Sequence, residues 1–296
     1  MARDDVGLCR QPKYLHTLSE ALENSRERRW FQRQSIESLE KFLTNLAGGA
    51  NVQRIVVTVE ARMGSSRLPG KVMMEAAGMP MLGHLLLRLS KLRRVHKVVV
   101  ATTTNPLDDE VEKFCQKRGT EVYRGSEEDV LGRVAEAAKH YDATAVVEIT
   151  ADCPIIDPLV IQRVIDDYLE NPCDLVSNGL VRTYPIGMDS NIVRMEALQR
   201  AAQEAVNPLD REHVLRFIFR QPQVFALRNV EAPSDLYWPE LGLTLDEPAD
   251  FELLSAVIEN LFPADPYFGC GQSIVFLREN PELVAINADV LRKGDS

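Results

Sequence analysis

The sequence has no cysteine pair at metal-ligand spacing. Its five cysteines, Cys9, Cys115, Cys153, Cys173 and Cys270, are odd in number and widely separated, so neither a zinc site nor a disulfide framework is expected. It has no apolar run of membrane-spanning length, and its N-terminus is too polar for a signal peptide. Both absences lead to the expectation of a cytoplasmic, reduced protein with no membrane partner. Positive charge is also short: 34 Lys and Arg stand against 44 Asp and Glu, a formal net charge of -10. Nucleic acid is therefore not the expected partner, although a local basic loop can still hold a nucleotide. Two nucleotide fingerprints are missing as well, the Walker pattern GxxxxGK(S/T) and the dinucleotide pattern GxGxxG. P-loop ATPase and dehydrogenase readings lose their main support.

What is present is ordinary globular composition, 45% hydrophobic and 26% charged, in 296 residues, enough for one large domain with an appendage. Residues 1–50 read as a separate helical extension. Leu18, Leu22, Trp30, Phe31, Ile36, Leu39, Phe42, Leu43 and Leu46 recur at roughly helical spacing before Gly48 and Gly49. Its Arg26–Arg29 run reads as a solvated face.

From Gln53 the pattern changes to alternating strands and helices. Arg54–Val59, Lys97–Thr102 and Thr144–Thr150 are β-branched runs of the kind buried in parallel sheets, and Glu121–Arg124 is a shorter strand. Helices are predicted over Leu82–Leu92, Leu107–Arg118, Glu128–His140 and Pro158–Leu169, the last capped by Asp157. The second half mixes short strands at Gln223–Leu227 and Gly242–Leu245 with helices at Arg194–Ala205, Asp210–Arg220 and Ala249–Asn260, and a helical tail from Phe268. The expected fold is α/β, a mostly parallel sheet with helices on both faces.

Three motifs carry chemistry. The first, Ala61-Arg62-Met63-Gly64-Ser65-Ser66-Arg67-Leu68-Pro69-Gly70-Lys71, follows the first strand. Glycine and small hydroxyl residues let backbone N–H groups close on phosphate oxygens. Arg62, Arg67 and Lys71 add three cations, arginine for bidentate contact and lysine as a point charge. The second motif, Thr150-Ala151-Asp152-Cys153-Pro154-Ile155-Ile156-Asp157-Pro158, ends the third buried strand, where ligands of open parallel sheets sit. Asp152 is placed to hold a hard cation, while Cys153 reads as a small buried residue and Asp157 as a helix cap. The third, Leu243-Thr244-Leu245-Asp246-Glu247-Pro248-Ala249-Asp250, offers Asp246 as a second carboxylate for Mg²⁺.

Together these motifs resemble the cytidylyltransferase family, in particular its spore-coat polysaccharide (SpsF-like) branch. The likeness runs from about Gln53 to Asn287 and includes Val99–Asn105, Tyr123–Leu131, Thr183–Asp189, Arg211–Val214 and Phe276–Asn287. The resemblance implies a Rossmann-like fold over 51–296, with a small extension over the acceptor site that often mediates dimerisation. A homodimer is the expected assembly. It implies that Arg62, Gly64, Ser65, Ser66, Arg67 and Lys71 hold the CTP triphosphate. It also implies that Asp152 and Asp246 bind the metal, and that Ala61, Ala101 and Thr102 lie where cytosine and ribose are held. The sequence departs from the family pattern at Glu60, commonly glutamine, at Ala151, commonly glycine, and at Asn191, often acidic.

The reaction so implied is in-line displacement at the α-phosphate of CTP by a small acceptor, with pyrophosphate leaving and no covalent enzyme intermediate. The acceptor is expected to be an acidic sugar, a sugar phosphate or a related metabolite. Arg182, Tyr184, Asp189, Arg211, Glu212 and His213 are the acceptor-side candidates. Two other readings stand beside this one, a nucleotidyltransferase that uses a different NTP and a catalytically silent nucleotide-binding subunit.

Overall fold

Ile55, Val56, Val57, Thr58 and Val59 are all fully buried in the first strand, β1 (Ile55–Glu60). The computed structural model describes residues 53–291, and the expected helical extension over 1–50 lies outside the described residues. Parallel pairing buries β1 on both sides, with β4 (Lys97–Thr103) on one edge and β6 (Ala145–Thr150) on the other. Ile55, Val57 and Val59 face one core layer, while Val56 faces another with Val99, Val130 and Val134. An uninterrupted apolar run, rather than strict alternation, is what a strand covered on both faces requires. Each such side chain contributes about 1.5–3 kcal/mol of transfer free energy.

The sheet has seven strands in the order β5-β4-β1-β6-β8-β7-β9, with β5 at Glu121–Gly125, β7 at Leu175–Ser177, β8 at Asn191–Arg194 and β9 at Leu227–Asn229. It is mostly parallel, as expected; β8 alone among these strands runs against its neighbours β6 and β7. A two-stranded hairpin, β2 (Glu75–Ala76) with β3 (Met79–Pro80), stands apart. Because β4 and β6 flank β1 on opposite sides, the strand order reverses beside β1. The chain leaving β1 and the chain leaving β6 therefore open a crevice at their carboxyl ends.

Helices Met81–Leu89, Asp109–Arg118, Val130–His140 and Pro158–Glu170 fall close to their expected places. Gly119 ends the second of these with φ 69°, a left-handed conformation that glycine adopts at low cost. Asp157 caps the fourth, its Oδ1 accepting from Leu159 N at 2.7 Å, and its Oδ2 accepts from Cys270 N at 2.8 Å.

The second half departs from the sequence reading in several places. The expected helix over Asp210–Arg220 is two short helices, Pro208–Glu212 and Arg216–Phe219, parted where His213 turns extended at φ -108°, ψ 101°. No glycine or proline marks that break, so helical spacing runs through it. Gly242–Leu245 forms only an isolated bridge, Gly242 with Ile186, and the Gln223–Leu227 strand lies instead at Leu227–Asn229. The tail is two helices, Cys270–Glu279 and Pro281–Ala285. The β2–β3 turn has Ala77 at φ 48° and Gly78 at φ 73°. Both signs are positive, as tight hairpins prefer, but alanine there gives no sequence signal. No helix among the described residues is long and apolar enough to cross a membrane.

Candidate active site

The loop after β1 is folded back on itself. Met63 O accepts from both Ser65 N and Gly70 N at 2.9 Å, and Gly70 takes φ 72° to start a short 3-10 turn at Lys71–Met73. Asp108, buried at the end of the β4 connection, fixes the same loop: its Oδ1 accepts from Met63 N at 2.7 Å. Its other oxygen accepts from the backbone and hydroxyl of Thr103. Arg62 lies 3.7 Å from Glu127, which also accepts from Asn105 Nδ2 at 3.0 Å. The loop is thus tied to the ends of β4 and β5.

Lys71 stands at the centre of the crevice. Its Nζ donates to Leu245 O at 2.6 Å and Asp246 Oδ1 at 3.0 Å, and it lies 3.5 Å from Asp152 Oδ2. Arg67 reaches the same Asp246 oxygen at 2.9 Å and Glu247 at 3.5 Å. Two carboxylates from distant parts of the chain therefore converge on one cationic atom. Their loops are joined by backbone as well, Leu245 N donating to Asp152 O at 2.8 Å.

Each carboxylate has its own support. Thr150 Oγ1 donates to Asp152 Oδ1 at 2.5 Å. Asp250, fully buried, accepts from the backbone N–H of Asp246 and of Glu247 at 2.9 Å each through Oδ2. Asn287 Nδ2 in turn donates to Asp250 Oδ1 at 2.7 Å and to Gly242 O at 3.0 Å. A chain of polar contacts from the C-terminal helices thereby sets the backbone of Asp246. Burial, followed by the charge of Asp152, pushes the Cys153 thiol well above its usual range, which makes it a poor nucleophile.

On the floor of the crevice, parallel register sets Glu60 beside Thr150 and Glu148 beside Thr58. The Glu60 and Glu148 carboxyls adjoin, and Asn191 Nδ2 donates to Glu148 Oε2 at 2.9 Å. Burial raises both carboxyls above the ordinary range, most strongly Glu60, where the charge of Glu148 adds to it. Arg133 of the covering helix faces them, 4% exposed, with its Nη1 donating to Ser126 O. Asn191, which replaces an often acidic residue, suits Glu148, because a third carboxylate there would repel it.

The cleft formed by these elements holds about 230 Å³ and is lined by Glu60, Ala61, Arg62, Ser65, Ser66, Arg67, Lys71, Arg133, Thr150, Asp152, Glu212, His213 and Asp246, among others. Cationic loop, paired carboxylates and switch-point crevice are groups of the chemistry that can hold a metal-bound polyphosphate. The cytidylyltransferase profile matches residues 56–259. The chain belongs to the cytidylyltransferase family. Among its relatives, the spore coat polysaccharide biosynthesis protein SpsF of Bacillus subtilis is 28% identical over 77% of this chain and 95% of its own. The 3-deoxy-manno-octulosonate cytidylyltransferase of Trichlorobacter lovleyi is 34% identical over 40% of this chain and 46% of its own. A cytidylyltransferase structure from Leptospira borgpetersenii superposes with TM-score 0.74 at 29% identity, covering 81% of this chain and 99% of that one. The SpsF-like branch and the Rossmann-like fold expected from the motifs are those of this family, and the protein is a nucleotidyl-transferring enzyme.

The cytidylyltransferase fold brings together most, not all, of the residues singled out in the sequence. Ala61, Arg62, Ser65, Ser66, Arg67, Lys71, Asp152, Asp246, Glu212 and His213 line one cleft. Gly64 lies at its rim, where a Cβ would come 3.3 Å from Glu127 Oε1. Ala101 and Thr102 are fully buried in β4, so any nucleotide contact near them falls to the chain beyond the strand. Four acceptor candidates are not among the residues lining the cleft. Arg182 pairs with Asp189 at 3.0 Å and lines a separate cavity with Trp238 and Asn287. Tyr184 is core, 2% exposed, and Arg211 bonds Asp129 and, at 2.5 Å, Ala202 O. Sequence reasoning missed Asp108, Glu127, Arg133, Glu148, Asp250 and Asn287. Asp108 and Asp250 follow proline-marked turns, which is the one signal available for them.

Proposed function

We propose that the enzyme transfers CMP from CTP to a small anionic acceptor, a sugar or related metabolite, with release of pyrophosphate, and that Mg²⁺ is its cofactor. The observation that carries this reading is the convergence of Asp152 and Asp246 on Lys71 Nζ at the switch point of the sheet. Relatives named for spore-coat polysaccharide biosynthesis and for 3-deoxy-manno-octulosonate support CTP as donor and a sugar acid as acceptor class.

The residues fit a hard divalent cation. Its donors would be oxygens of Asp152 and Asp246, both within 3.5 Å of a single cationic atom. No cluster of three or more His, Cys, Asp or Glu suited to a metal occurs among the described residues. A two-carboxylate site suits Mg²⁺, which retains waters and takes its remaining oxygens from phosphate. When bound, the cation supplies charge neutralisation and polarisation at the α-phosphate.

The chain's own groups do the rest. The three donors of Lys71 are taken by Asp152, Asp246 and Leu245 O. Once the carboxylates are engaged elsewhere, Lys71 and Arg67 turn to the β- and γ-phosphates and stabilise charge moving onto pyrophosphate. Arg62, Gly64, Ser65 and Ser66 enclose the triphosphate from the loop side. Glu212 and His213, which line the same cleft, would serve the acceptor. Holding the acceptor oxygen in line with the leaving group supplies the remaining rate enhancement.

The test is pyrophosphate release with the four common NTPs and a panel of sugar acids and sugar phosphates. CTP should be preferred, and Asp152→Asn should lower the rate about 10²–10³-fold, equivalent to about 3–4 kcal/mol of barrier. Near-normal release from Asp152→Asn would remove that residue from the site.

A further inference from the structure

A second cavity shares no lining residue with the catalytic cleft. It holds about 530 Å³, within the usual range of small-molecule sites. Its wall is mostly apolar, with Trp238, Leu241, Val284 and Val290, and carries Arg182, Glu240 and Asn287. The chain around it leads to the active site. Ile186 N donates to Leu241 O at 2.9 Å and Leu243 N to Ile186 O at 2.7 Å, which fastens the loop after Arg182 to the segment ending at Asp246. Asn287 supports Asp250, whose other oxygen holds the backbone of Asp246.

Two side chains in this wall have hydrogen-bonding groups to spare. Asp189, which is not part of the wall, takes only Nη1 of Arg182, through Oδ1 at 3.0 Å and Oδ2 at 3.2 Å. Arg182 Nε and Nη2 have no partner among the described residues, and the side chain is 39% exposed. Those two N–H groups form the side-on fork of a guanidinium, which matches two oxygens of a carboxylate or phosphate. Arg228 shows the same edge in use, its Nε and Nη2 holding Asp167 at 2.9 and 2.8 Å. Asn287 commits Nδ2 to Asp250 and Gly242 O, while its Oδ1, which is not enclosed, accepts from no described residue. An anion on the fork and a hydroxyl on Asn287 satisfy both, with a carbon skeleton against Trp238. Glu240 is exposed and repels dense negative charge, which favours a ligand with one anionic group.

We propose that this cavity binds a small hydroxylated anion, a carboxylate or phosphate monoester, held by the Nε–Nη2 fork of Arg182 with its carbon body against Trp238. The same recognition chemistry serves the distal end of the transfer acceptor or a separate anion. The site stands on its own geometry and does not depend on the cytidylyl-transfer reading. An Arg182 that only steadied Asp189 would use Nη1 alone and would leave Trp238 insensitive to anions.

In the full chain carrying Trp30→Phe, Trp238 is the sole tryptophan, and its emission reports on the cavity. The protein is titrated with gluconate, glycerol phosphate and inorganic phosphate. Gluconate or glycerol phosphate should change the emission saturably and bind more tightly than inorganic phosphate, which has no carbon body. Arg182→Gln should weaken that binding by about 10–100-fold, the worth of a charge-assisted contact. Arg182→Lys keeps the charge but loses the fork, and should still cost about tenfold. Ala288→Phe, at an exposed position in the wall, fills the cavity without changing its charge and should abolish the response. No saturable change with any probe at millimolar concentration, or binding as tight as wild type in any of the three variants, overturns the proposal. Pyrophosphate release separates the two sources. An anion that competes with the acceptor marks the cavity as the acceptor's own subsite, and one that binds alongside it marks a separate ligand; either upholds the site. Because the fluorescence titration needs no turnover, failure of cytidylyl transfer would leave its result standing.

Discussion

Replacing Lys71 by methionine removes a cation from between two carboxylates while keeping an apolar stem of similar length. Lys71 Nζ lies 3.0 Å from Asp246 and 3.5 Å from Asp152. Its side chain is 13% exposed, those of the two aspartates 15% and 26%. At an effective dielectric of about 20, each attraction is about 5 kcal/mol before desolvation is subtracted. Breaking a fully buried pair costs about 3–5 kcal/mol. The partial exposure of these carboxylates brings the expected loss down to about 2–3 kcal/mol. The variant should therefore melt earlier without Mg²⁺. The same change leaves Asp152 and Asp246 facing each other with less positive charge between them, which favours a divalent cation. Its apparent affinity for Mg²⁺ in the absence of CTP should rise about tenfold or more, a difference of about 1.4 kcal/mol. Thermal melts across a Mg²⁺ titration read both effects. Pyrophosphate release should fall about 10²–10³-fold and stay low in saturating Mg²⁺. An Mg²⁺-induced rise in Tm no larger than that of the wild type would refute the shared cation site, and a rate within a few fold of wild type would remove Lys71 from the transfer.

Asp250→Asn should lower stability by about 1–3 kcal/mol in urea denaturation, because one acceptor oxygen facing backbone N–H groups or Asn287 becomes an NH₂. Unchanged stability would mean that Asp250 is not what holds the Asp246 turn. Glu60 gives a pH prediction. Its carboxyl holds a proton more tightly in the fold than in the unfolded chain, by burial first and then by Glu148, with Asp152 adding and Arg133 opposing. The stability so gained is complete below the unfolded value of about 4.3 and is lost as pH rises through the folded pKa. The Tm of Glu60→Gln minus that of wild type should therefore grow as pH rises above the unfolded value of about 4.3; a difference that stays constant with pH would contradict it.

How much of this was legible in the sequence depends on how far apart the cooperating residues lie. The phosphate loop was readable because Arg62, Gly64, Ser65, Ser66, Arg67 and Lys71 are contiguous and follow a buried strand whose apolar run is unambiguous. Asp152 and Asp246 were readable separately, each as an acid after a short apolar run, and the need for two metal carboxylates joined them. Asp250 and Asn287 were inside quoted motifs but had no visible role, since nothing local says that one orients a backbone 4 residues upstream and the other lies 37 residues away. The short second-half elements were blurred for a different reason. β8 follows a loop without apolar alternation, and His213 breaks its helix with no glycine or proline to mark the place.

The floor of the cleft shows most clearly what one-dimensional reasoning leaves out. Glu60 stood out as a departure from the family pattern, and so did Asn191, yet neither suggested the other. Glu148 joins them, and it sits in a run, Ala145–Thr150, that reads simply as a buried strand. Only the register, Thr58 opposite Glu148, Glu60 opposite Thr150 and Glu148 opposite Asn191, places all three on one face of the sheet. Once they are together, Glu60 and Asn191 cease to be isolated oddities: an amide at 191 is compatible with a second carboxylate at 148, and that carboxylate adds to burial in raising the Glu60 carboxyl.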